Sequence, residues 1–111
     1  MVTLQDTDIV SALQENGERG FRLLMTKYKQ VVYWHIRRLV VSHDDAQDAA
    51  QETFIRVFRS FGQFKGKDSL EQLQEKSSLA AWIYRIATNE ALRILQRRHS
   101  DQLALENVLT E

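Results

Sequence analysis

The 111 residues contain no cysteine and no proline, and only four glycines. Without thiols there is no disulfide framework and no thiolate site. Without proline, and with glycine scarce, most of the punctuation that hairpins and strand ends require is missing. No apolar run approaches the length of a signal core or a membrane span, so a cytoplasmic protein without membrane insertion is expected. Net charge is lacking too, fifteen Lys and Arg being balanced by fifteen Asp and Glu. No GxxxxGK[ST], GxSxG or HExxH motif occurs, and His35, His43 and His99 stand apart without partner spacing. Neither catalysis nor a metal or cofactor site has a foothold in such a pattern.

What remains is helical. Hydrophobic residues make up 43% of the chain and recur at three- and four-residue steps, which predicts an all-α fold, a compact bundle of three to four main helices around one core. The densest pattern is SSLAAWIYRIATNEALRILQRR, Ser77 to Arg98. Leu79, Ile83, Ile86, Ala87, Ala91, Ile94 and Leu95 form its apolar edge, while Arg85, Thr88, Asn89, Arg93, Gln96 and Arg97 form a basic, polar edge with Tyr84 beside it. Four arginines against the single acid Glu90 give this stretch a local positive excess in a neutral chain.

In chain order, Asp6 or Asp8 is expected to cap a short helix built on Ile9, Val10, Ala12 and Leu13, with Gly17 closing it in a left-handed conformation. A longer helix from Glu18 to about Val41 presents Phe21, Leu24, Met25, Tyr28, Val31, Val32, His35, Ile36 and Leu39 on one wide face. His35 reads as a packed, hydrogen-bonded side chain, and Trp34 as flank packing. Ser42, followed by Asp45, caps a third helix whose buried edge is Ala46, Ala49, Ala50, Phe54, Val57, Phe58 and Phe61. Its outer edge carries Asp48, Gln51, Glu52, Ile55 and Arg59, and Asp44 to Glu52 holds four acids and no base. Charge alone favours a solvated face there, although a lone apolar residue amid polar groups also suits contact with a basic partner. Gly62 to Lys67 is expected to break the helix as a basic loop, and DSLEQLQEK to form a short helical turn. The tail offers Leu103, Leu105, Val108 and Leu109 as a weak amphipathic coda.

Two stretches, DAQDAAQETFIRVFRSFGQFKG (Asp45 to Gly66) and SSLAAWIYRIATNEALRIL (Ser77 to Leu95), resemble one family. DxxQETFxRxF, then FxG, then WxYRIAxN is the combination found in the core- and promoter-binding domain, region 2, of bacterial sigma factors of the extracytoplasmic-function class. The resemblance runs from the lead helix through Arg98.

It implies that Asp48, Gln51, Glu52, Ile55 and Phe58 dock on the clamp coiled-coil of the beta-prime subunit of core RNA polymerase. It also implies that Phe64, Lys65 and Gly66 shape a pocket for a flipped base of the minus-ten promoter element. Tyr84, Arg85, Asn89 and Arg93 would line the non-template strand, with Arg97 and Arg98 near phosphates. Bases drawn from a stack need planar surfaces and amides, and arginines neutralise phosphate. Trp82 falls on the core side and is expected to pack. An anti-sigma factor is a further partner that the family implies. Residues 1–98 would be region 2 and 99–111 the start of a linker, the helix-turn-helix domain for the minus-thirty-five element being absent from a truncated chain. Asp68 to Lys76 departs from the family as an insertion of about nine residues, bringing Asp68, Glu71 and Glu75 close to the DNA path. The rival readings are a helical protein-interaction module without DNA binding and an autonomous reader of duplex DNA, for which neither a recognition helix after a tight turn nor dimer symmetry is evident.

Overall fold

The computed structural model describes residues 4–63 and 79–110, and these form four helices with no strand among the described residues. They are α1 (Asp6–Glu15), α2 (Gly17–Arg37), α3 (His43–Gln63) and α4 (Leu79–Thr110). Ser77 and Ser78, the DSLEQLQEK segment and the expected insertion lie outside the described residues.

Helix α1 starts from Gln5, whose backbone N–H donates to Asp8 Oδ2 at 3.3 Å, so Asp8 caps by reaching back. Asp6 serves the next helix instead: one of its carboxylate oxygens accepts from Lys27 Nζ and Tyr28 Oη, each at 2.7 Å. Burial and this carboxylate push the Tyr28 phenol well above its ordinary pKa. The expected left-handed Gly17 is not found. Asn16, with φ −151° and ψ 102°, ends α1 and begins α2, its side chain accepting from the Arg19 N–H at 3.2 Å. One extended asparagine does both jobs, so no positive φ is required and none occurs among the described residues.

The helices alternate in direction. Asp6 meets Lys27, Phe21 packs edge-to-face on Phe58 at 5.1 Å, Tyr33 meets His43, and Asp45 meets Arg98, so each of these helices runs antiparallel to its neighbour in the chain. Ile9, Leu24, Val32, Ile36, Val57 and Ile83 are fully buried between them, as are Ala46, Ala49, Ala87 and Ala91. Thr53, also fully buried, satisfies its hydroxyl on the Ala49 carbonyl at 2.7 Å.

Three expectations need correction. Helix α2 ends at Arg37 rather than near Val41: the Leu39 and Val40 N–H groups turn back to Ile36 O, and Arg37 Nη1 donates to Val40 O. Trp34 is not flank packing, since 56% of it is exposed, its ring in an edge-to-face contact with Tyr33. Gly62 and Gln63 continue α3 rather than break it. The Ser42 cap is as read, its Oγ accepting from the Asp45 N–H at 3.1 Å.

Helix α4 is the longest element, 32 residues, about 48 Å at 1.5 Å per residue, within a molecule whose principal extent is 59 Å. It runs unbroken across residue 98, and residues 96–109 are all exposed.

Candidate nucleic-acid and partner interface

Two exposed stripes lie on α3 and α4. On α3, Asp48, Gln51, Ile55 and Phe58 recur at three- and four-residue steps and face solvent, with Glu52 half-buried beside them. Ile55 is 43% and Phe58 51% exposed. Phe58 was expected on the buried edge as well as in the contact set. The structure sets its ring edge-to-face with Phe21 and leaves about half of the side chain exposed. A cleft of about 320 Å³ opens beside the stripe between α2 and α3, lined by Met25, Tyr33, Ala50 and Phe54 and sharing Gln51 with it. The Tyr33 hydroxyl and His43 Nδ1, 2.6 Å apart, lie at its rim.

On α4, Arg85, Asn89, Arg93, Gln96 and Arg97 are all exposed. Leu92, 46% exposed, sits among them, three residues after Asn89. Sequence reasoning passed over it because it belongs to neither the apolar edge nor the polar set, yet its spacing was the available signal. Tyr84 and Thr88 are placed differently. The Tyr84 ring tilts against His35 with centroids 5.0 Å apart, and the Thr88 hydroxyl pairs with His35 Nε2 at 2.8 Å. Both are half-buried in the α2–α4 contact, so Tyr84 borders the exposed stripe and His35 is the packed, hydrogen-bonded histidine its position suggested. Trp82 packs partly buried against the core, as expected. Phe64, Lys65 and Gly66 lie outside the described residues.

Arg98 does not stand free for a phosphate. Its Nε and Nη2 donate to the two oxygens of Asp45 at 3.1 and 2.6 Å, and this guanidinium holds the Asp45 carboxyl below the usual carboxylate range. Glu90 is 6% exposed and was missed as a structural group. It contacts Arg56 Nε from α3 directly and lies 3.8 Å from Arg93 Nε. Arg56 Nε is also 3.5 Å from Glu52. Among the described residues no cluster of three His, Asp or Glu is placed to hold a metal, and no helix is long and apolar enough to cross a membrane.

Residues 24–100 match the Sigma-70 region 2 family. The chain belongs to that family. It is 37% identical over 94 residues to the RNA polymerase sigma-H factor of Pseudomonas aeruginosa, an alignment that takes in 85% of this chain and 44% of that one. It is 34% identical over 92 residues to the ECF RNA polymerase sigma-E factor of Haemophilus influenzae, covering 83% of this chain and 43% of the relative. This region 2 chain therefore spans less than half the length of these relatives. Its fold is similar to an engineered region 2 of sigmaE solved by NMR in complex with GTAAAA, with a TM-score of 0.68, 29% identity, and 89% and 95% of the two chains covered.

Proposed function

We propose that this region 2 domain is the promoter-recognition module of an alternative sigma factor, a binding role rather than an enzymatic one. It docks on core RNA polymerase through α3 and captures the unpaired non-template strand of the minus-ten element through α4. The observation that carries the reading is the exposed row Arg85, Asn89, Arg93 and Gln96 on one helix, in a chain whose structural neighbour was solved in complex with GTAAAA.

The chemistry follows from the placement. Arg85, Arg93 and Arg97 neutralise phosphates along the strand, Asn89 offers an amide to base edges, and Leu92 gives an apolar surface beside them. Three phosphate contacts on a single strand correspond to a slope of about −2 in log K against log salt. Phe64, Lys65 and Gly66 contribute the pocket for a flipped base, and Tyr84 on α4 a ring for the strand. Capturing bases that the closed duplex does not offer shifts the equilibrium towards melting without hydrolysis.

On the other helix, the acids of the Asp48, Gln51 and Glu52 row steer encounter with the basic clamp coiled-coil of beta-prime, and Ile55 and Phe58 supply desolvated contact that slows release. An anti-sigma factor that covers these rows would silence both. Residues 1–98 form the functional unit and 99–111 lead into the connecting segment, a reading supported by the exposure of residues 96–109 along α4.

Fluorescence anisotropy with a labelled single strand containing GTAAAA tests the DNA role. Asn89→Ala and Arg93→Ala are expected to weaken binding, each by about 1–3 kcal/mol at most for a lost base or phosphate contact. Absence of wild-type binding at low salt, or unchanged affinity in both variants, would sink it. Asp48→Arg is expected to abolish co-purification with core polymerase, and retained binding would refute the docking face.

A further inference from the structure

The one acid among the α4 arginines has a place that the proposed function does not use. Glu90 is buried, and its Oε1 lies between two guanidinium groups, Arg56 of α3 on one side and Arg93 on the other. Arg56 in turn stands between Glu90 and Glu52, and no acceptor is aligned with its buried Nε–H. A buried carboxylate demands cationic compensation, and here two arginines supply it. Arg93 is the more exposed of the two, 56% against 37% for the side chains. A phosphate that draws the Arg93 guanidinium away from Glu90 removes one of the two cations beside that carboxylate and leaves Arg56 to compensate it.

We infer that Glu90 and Arg56 are positioning residues for Arg93: Glu90 restrains the Arg93 guanidinium from nucleic acid, and Arg56 limits that restraint. The inference rests on Arg93 being a phosphate contact, as proposed above. The Arg93 side of this pair is open to solvent, so Glu90→Gln is expected to raise affinity for a GTAAAA-containing single strand by about 1.4- to fivefold. Arg56→Gln is expected to lower it by a similar factor. In an Arg93→Gln background the Glu90→Gln gain disappears.

Asp101→Asn is the control for bulk charge. It removes one acid from the same helix, eight residues beyond Arg93, about 12 Å along the axis, further than the Debye length of about 8 Å at 0.15 M salt. An equal gain from Asp101→Asn, or a Glu90→Gln gain that survives loss of Arg93, overturns the inference. Glu90→Gln keeps the side-chain volume and decides the matter by itself if Arg56→Gln does not fold. A second readout needs no DNA: solvent exchange of the Arg93 Nε–H, followed by NMR in the free protein, is expected to quicken in Glu90→Gln. An unchanged rate overturns the inference. A quickened rate in a protein that binds no oligonucleotide would uphold the restraint and refute only the DNA role.

Discussion

Gly20 is where α2 passes closest to α1, and an added methyl tests that packing. A Cβ at Gly20 would lie 2.4 Å from Leu13 N, 2.6 Å from Leu13 Cα and 2.7 Å from Leu13 Cγ. Carbon contacts are favourable at about 3.5–4.0 Å, so a displacement on the order of 1 Å is needed. Two of the three atoms are backbone, and the whole of α1 must move. That helix buries Ile9, Val10 and Ala12, so moving it loosens one end of the core.

Gly→Ala in a helix otherwise gains about 1 kcal/mol. Overpacking costs about 1–3 kcal/mol, and a backbone clash belongs at the upper end. The net expectation for Gly20→Ala is a loss of about 2 kcal/mol, or on the order of 10 °C in Tm for a domain of this size. Gly17→Ala is the matched control, since nothing lies within 4 Å of its added Cβ, and it is expected to be neutral or stabilising by up to about 1 kcal/mol. Urea midpoints and thermal melts followed by circular dichroism report both. A Gly20→Ala protein as stable as Gly17→Ala would refute the close α1–α2 packing.

Asp45→Asn is expected to destabilise the protein at neutral pH. Because Arg98 lowers the folded-state pKa of Asp45, its contribution is fully present above the unfolded carboxylate value and is lost as pH falls through the lowered folded value. The difference in urea midpoint between wild type and variant should therefore close on acidification, and should shrink with salt because Arg98 is exposed; a difference that persists at low pH would contradict this. Thr88→Val removes the 2.8 Å partner of His35 Nε2 and is expected to cost about 1 kcal/mol with helix content unchanged. An unshifted melt would mean that the imidazole is satisfied elsewhere.

Helical periodicity made most of the bundle legible. Ile9, Leu24, Val32, Ile36, Val57, Ile83, Ala87 and Ala91 fall on repeating three- and four-residue steps, and all are buried. Capping chemistry found the start of α3, because Ser42 needs only a local backbone partner. It misplaced the α1–α2 junction, where Asn16 serves both helices and a glycine next to it drew the left-handed reading. Trp34 was misread because apolar character was allowed to outweigh spacing. It lies two positions from both Val32 and Ile36, on the far side of the helix. Of the proposed site, the exposed rows were readable from spacing. What Tyr84, Thr88 and Arg98 touch was not, since those partners come from α2 and α3, more than forty residues away in sequence.

Glu90 shows how much further the spacing would have reached. It stands seven residues after Ile83, four after Ile86, three after Ala87 and four before Ile94, which places it on the border of the apolar stripe rather than on the open basic row. An acid at such a border needs a cation from the helix packed against it, and Arg56, next to buried Val57, is positioned to supply one. The zero net charge conceals this because it does not say which acid faces which base. Two such pairs, Asp45 with Arg98 and Arg56 with Glu90, both join α3 to α4. Between them along the two helices lie buried Ala46, Ala49 and Ala91. The acidic row and the basic row are thus tied by two ion pairs between the same two helices. Those ties give a physical reason for the two exposed rows to keep a fixed spacing.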